Sequence, residues 1–161
     1  MKNLIIIILL LCAPLHSQAG IWIHTASQFW SESSDETPKN LWNTSSTVGF
    51  RFIQGFLLGA QNVTYTDQST DRFTFGLGPK VGFLHNGIEI SGSYIAYTRQ
   101  KKTTETLSGK GFALNLGWTF ELAGPFRIGL HTTYLKLTFD RSGSNFTEKH
   151  FTPQIAFAVE L

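Results

Sequence analysis

The chain has 161 residues and a formal net charge of +2, from 13 Lys and Arg against 11 Asp and Glu. Only 15% of its residues are charged, where soluble domains average about 25%. A near-neutral chain of this size is one domain, and it lacks the basic face that a nucleic-acid partner requires.

In chain order, the first element is an export signal. Lys2 supplies a positive start, Leu4 to Leu11 an apolar run too short to span a bilayer, and Ser17-Gln18-Ala19 a small-residue cleavage site. Residues 1–19 are therefore expected to be removed, leaving 20–161 as the working domain. Cys12 ends the apolar run, so the mature part contains no cysteine and no disulfide. After the signal, no apolar run approaches the roughly twenty residues of a membrane helix.

From Gly20 onward the pattern has period two, which means strands with two unlike faces. Eight strands are predicted over about 20–30, 46–54, 56–66, 71–84, 88–100, 109–122, 125–140 and 149–161. The clearest is "FALNLGWTFEL", where Phe112, Leu114, Leu116, Trp118 and Phe120 alternate with Ala113, Asn115, Gly117, Thr119 and Glu121. Phe73, Phe75 and Leu77 form a second apolar face, and Ile155, Phe157 and Val159 a third. The facing of strand 20–30 is ambiguous, because Trp22 opposes Ile21 and Ile23. In 56–66 the apolar parity switches near Ala60. In 125–140 it slips after Tyr134, at Leu135, Leu137 and Phe139, which a bulge or a strand running past a membrane would explain. Minimal turns follow strands two, four and six (Gln54-Gly55, His85-Asn86-Gly87, Ala123-Gly124-Pro125). Polar and mostly longer segments follow one, three, five and seven.

Two closed architectures suit eight such strands: a soluble lipocalin-like barrel with its apolar face inward, or a membrane barrel with that face on lipid. The polar face is Gly, Ala, Ser, Thr and Asn with few charges, which suits a crowded interior. An eight-stranded barrel has no room inside for so many rings. The expected fold is all-β: an eight-stranded antiparallel up-and-down transmembrane β-barrel.

The signal, the eight alternating strands and the alternation of short turns with longer loops resemble small Gram-negative outer-membrane barrels of the OmpA, OmpX and opacity type. Leu161 stands where such proteins usually end in an aromatic residue, with Phe157 four positions earlier. The resemblance implies an outer-membrane location, contact with membrane lipid and lipopolysaccharide, insertion by the barrel assembly machinery, and loops presented to an extracellular partner. Both termini and the short turns then lie on the periplasmic side.

Candidate residues follow from that frame. Arg51, Lys80, Glu89, Glu121, Arg127 and Glu160 share the small-residue face near the short turns, which predicts an ionic plug in the lumen. Phe73, Phe75, Leu77, Phe112, Leu114, Leu116, Trp118, Phe120, Ile155, Phe157 and Val159 are expected to face lipid. Arg99, Lys101, Lys102 and Lys110 form a basic segment suited to lipopolysaccharide phosphates. Outer-membrane lipid A deacylases carry a His-x-Ser pair with a downstream Glu; His131, Thr133 and Glu148 resemble it imperfectly, with Thr for Ser and Tyr134 where Asn is expected. His24, His85 and His150 show no metal-ligand spacing, and no cofactor or catalytic set is predicted. The leading expectation is a non-enzymatic barrel in envelope integrity, adhesion or recognition. A narrow channel, a lipid A-modifying enzyme and a soluble ligand-binding barrel are the alternatives.

Overall fold

A computed structural model describes residues 19–32, 39–52, 55–68, 70–101, 105–141 and 144–161, so residues 1–18, most of the stretch read as an export signal, and Lys102 lie outside the described residues. Eight strands run β1 Gly20–Glu32, β2 Lys39–Arg51, β3 Phe56–Asp67, β4 Arg72–His85, β5 Ile88–Lys101, β6 Thr106–Ala123, β7 Phe126–Arg141 and β8 Ser144–Glu160. Each pairs antiparallel with its sequence neighbour, and β1 closes onto β8 to make a barrel.

The stagger can be read from the pairing. Around the sheet, Trp22 connects through Gly49, Gly59, Lys80, Ser93, Ala113 and Leu135 to His150. Across the closing seam it pairs with Glu160, ten residues beyond His150 (160 − 150). That offset over eight strands tilts them by roughly 40°, the usual range for closed barrels. At the tight end, Asn86 and Gly87 have φ of 49° and 80°. Two successive left-handed residues make the two-residue hairpin whose twist matches the flanking strands.

The predicted facing holds along most of the sheet. Leu114, Leu116, Trp118, Phe120, Ile155 and Phe157 are all more than half exposed on the outer surface. Phe73, Leu77 and Phe112 are exposed beside them, and Phe75 and Val159 are half-buried. Trp22, His24 and Ala26 point inward and Ile21 and Ile23 outward, which resolves the ambiguous first strand.

Two ambiguities are resolved and one expectation needs correction. The apolar parity of β3 does switch, and it does so in the side chains while the backbone keeps alternating: Phe56, Leu58 and Ala60 are exposed outside, with Leu57, Gln61 and Val63 buried inside. The pairing of β7 with β8 runs unbroken from Phe126 to Arg141, so β7 carries no bulge against β8. Instead, polarity inverts while the backbone keeps alternating. Finally, the described parts of the polar segments after β1, β5 and β7 are largely strand, with β6, β7 and β8 reaching 18, 16 and 17 residues. A bilayer needs only about 9–11 per strand.

The inversion is sharpest on β6 to β8. Near the short turns, Leu116, Leu130 and Ile155 point outward while Gly117, His131 and Gln154 point in. Near the other end, Lys110, Lys136, Thr138 and Lys149 point outward, and Leu107, Leu135, Leu137 and Phe139 form a buried cluster inside with Ile95, Val63 and Ala113. One strand thus has an apolar exterior at one end and an apolar interior at the other.

The outer face of β1 to β3 differs again. Thr25 and Ser46 hydroxyls meet at 3.1 Å, Ser27 and Thr44 at 3.3 Å, and the Trp42 Nε1 donates to Thr44 at 2.7 Å. Asn62 Nδ2 donates to the Gly76 carbonyl at 3.3 Å. These outward polar groups partner one another or the backbone.

Candidate functional site

The interior is layered. At the short-turn rim, Arg51 pairs with Glu160, and Arg127 Nη1 lies 3.7 Å from the other Glu160 oxygen. Arg127 also donates to Thr119 Oγ1 at 3.3 Å and to the Thr119 carbonyl at 3.2 Å. Glu121 does not join them. The β6–β7 register shifts between Glu121 and Ala123, and that irregularity leaves Glu121 exposed without an ion pair among the described residues. Above the rim lies a small apolar layer of Trp22, Leu57, Leu84 and Ala158.

Next comes a charged layer that is fully enclosed. Lys80 Nζ sits 2.6 Å from Glu89 Oε1 and 2.9 Å from Thr47 Oγ1, with side-chain exposures of 0% and 3% for the ion pair. Ser91 donates to the same Glu89 oxygen at 2.7 Å. Such a pair is tolerated only because both charges find partners at close range. His131 Nε2 approaches Glu89 to 3.9 Å, and the His24 and His131 ring centroids are 4.6 Å apart. Both nitrogens of His24, Nε2 of His131 and Oε2 of Glu89 have no hydrogen-bond partner.

The layer above is uncharged. Gln61 Nε2 donates to Ser45 at 2.6 Å and Asn115 at 3.0 Å, and Asn115 Nδ2 returns a bond to Gln61 Oε1 at 3.0 Å. Ser93 donates to Gln61, and Thr133 to Asn115 at 3.0 Å and Gln154 at 3.2 Å. Gln154 Nε2 ends the chain on the Ala26 carbonyl at 3.2 Å.

The predicted six-residue plug is therefore two separate assemblies, Lys80 with Glu89 and Arg51, Arg127 with Glu160. The Trp22 layer intervenes, and Glu121 is left out. His131 and Thr133 are buried in the lumen. Glu148 is not beside them: it receives Arg72 Nη1 at 2.7 Å and Gln100 Nε2 at 3.1 Å toward the end away from the short turns. Arg72 also lies over the Tyr65 ring at 5.2 Å and 3.9 Å from Asp67. Sequence reasoning missed this Arg72–Glu148 contact and the His24–Glu89–His131 group, since each joins residues far apart in sequence. Their only sequence signal is a shared inward parity.

On the outside, Arg99, Lys101 and Lys110 are exposed. Arg99 and Lys101 pair in register with Phe75 and Phe73, and these four with Tyr97 and Thr106 line a surface groove. Lys136 and Lys149, paired with each other, extend the basic rim along β7 and β8. Lys136 Nζ lies 5.8 Å from the Phe112 ring. Cations thus stand beside aromatic side chains on this flank.

No family profile and no curated protein matches this sequence. Among solved structures, the chain is similar to the crystal structure of Neisserial surface protein A, at 10% identity and a TM-score of 0.56, covering 90% of this chain and 99% of that one. At that identity the likeness establishes the fold, an eight-stranded barrel of the outer-membrane type.

Proposed function

We propose that the chain is an integral outer-membrane protein, exported on residues 1–19 and inserted by the barrel assembly machinery. Its barrel is closed by its own side chains, and it serves envelope integrity or surface recognition instead of catalysis. The observation that carries this reading is the polarity inversion along β6 to β8. Leu116, Leu130 and Ile155 face outward without cover, yet a few residues further the same strands turn Leu137 and Phe139 inward and Lys136 and Lys149 outward. A uniform solvent has no reason to reverse the faces of one strand; a boundary between lipid and water does. The non-catalytic reading is supported by His131 and Thr133, which are bonded into the interior network and out of reach of membrane lipid.

The layers from Trp22 to Gln61 support a closed lumen. The purified barrel in planar bilayers is expected to show no steady conductance. Resolved single-channel steps would instead favour the narrow-channel reading.

The rim of Arg99, Lys101, Lys110, Lys136 and Lys149 beside Phe73 and Phe112 suits anionic lipid head groups, with phosphate on the cations and acyl chain on the rings. Lipid A binding is expected to weaken with salt, and more gently in a Lys136→Glu, Lys149→Glu double variant. An unchanged salt dependence in that variant would argue against the contact.

A further inference from the structure

We propose that His24, Glu89 and His131 form a transition-metal site of the Zn²⁺ class inside the lumen. The three side chains come from β1, β5 and β7, and each offers a ligand atom within 4.8 Å of the others. All are enclosed, with residue exposures of 1%, 2% and 2%. Independently of this geometry, four of their polar atoms are buried without a partner: both ring nitrogens of His24, His131 Nε2 and Glu89 Oε2. Buried donors and acceptors left bare lose their hydration with nothing in return. Four of them on three residues that face one another mark a place built for an occupant.

The surroundings hold the ligands as a metal site requires. His131 Nδ1 lies 3.5 Å from Gln154 Oε1 and 3.4 Å from Thr133 Oγ1, which turns Nε2 toward Glu89. Partners on the second imidazole nitrogen commonly orient metal-binding histidines this way. Ser91 and Lys80 occupy Glu89 Oε1 and leave Oε2 free. Trp22 stacks on His24 with an interplanar angle of 10°. Gly117 gives the other ring its room, because a Cβ there would fall 2.6 Å from His131 Cδ2. Two imidazoles and one carboxylate are the donors that Zn²⁺, Ni²⁺ and Cu²⁺ accept, whereas Mg²⁺ and Ca²⁺ prefer oxygen. Lys80 is the opposing element: its ammonium holds the same carboxylate and repels a dication. Ion and ammonium therefore compete for Glu89.

The test uses the chain from Gly20, unfolded, stripped of metal and refolded in detergent in the presence of Co²⁺, alone or in competition with Zn²⁺. One Co²⁺ per barrel is expected, with the visible absorption of a four-coordinate ion, excluded when Zn²⁺ competes. His24→Gln and His131→Gln should each lose more than the roughly 10–100-fold that removal of an outer-shell partner costs. Lys80→Met should bind roughly tenfold tighter, since the competing charge is gone. Should the histidine variants not fold, Cu²⁺ resonance spectra of the wild type must show coupling to two imidazole nitrogens. A folded wild type that binds neither Co²⁺ nor Zn²⁺ overturns the site. So does binding that survives in both histidine variants, or a Cu²⁺ spectrum without that nitrogen pair.

Discussion

Lys80→Met, studied in chelator so that no metal intervenes, is expected to destabilise the barrel by about 3–5 kcal/mol. Nearly all of that cost falls on the residue left behind. Glu89 is enclosed between His24, His131 and Ser91, and Lys80 is the only ammonium within salt-bridge range of it among the described residues. Removing the cation leaves an anion in the lumen with one hydroxyl donor and no route to water. The Lys80→Met, Glu89→Leu double variant should recover most of the loss. Without the anion, the Met and Leu side chains can pack against the Trp22, Leu57 and Leu84 layer, and replacing a whole buried pair is often near neutral. Urea unfolding of the two single variants and the double variant checks this. A single variant that costs under about 1 kcal/mol would show that water reaches Glu89 and that the layer is not closed.

Leu116→Arg is expected to destabilise the membrane-inserted barrel by about 2–4 kcal/mol, the cost of a cation near the bilayer midplane. The prediction is sharp because Leu116 is 58% exposed and so has little packing to lose. In a water-soluble barrel the same change would be neutral, or would help solubility. A control at the proposed boundary, Tyr134→Arg on β7, should cost only about 0–1 kcal/mol, since position 134 borders Lys136. Equal effects at both positions would remove the proposed depth profile.

The strand count and the facing of β4, β6 and β8 were legible because alternation there is simple: large apolar against small, along "FALNLGWTFEL" and its counterparts. Legibility failed where polarity stopped tracking geometry. Val63 and Leu137 are apolar and point inward, so an alternating backbone looked like a switched or bulged one. The same confusion hid the first seven residues of β2 and the start of β8. There polar side chains occupy the outer face and read as loop, although Trp42, Thr44 and Ser46 sit in an ordinary ladder with β1. Glu121 was assigned by parity alone, and the register shift beside it cannot be seen in the residues. The lumen cluster was hidden more deeply. His24, Glu89 and His131 meet only because the barrel closes, and no local spacing records a contact made by closure and stagger.

A membrane barrel requires lipid over its outward apolar face, and two tryptophans report on that cover directly. Trp118 points outward at 61% exposure, while Trp22 points into the lumen at 1%. In vesicles of lipid brominated along the acyl chain, a variant retaining only Trp118 should lose most of its fluorescence, and one retaining only Trp22 should keep it. If Trp118 were instead untouched by brominated lipid and quenched by aqueous iodide, the outer face would lie in water and the membrane assignment would be wrong.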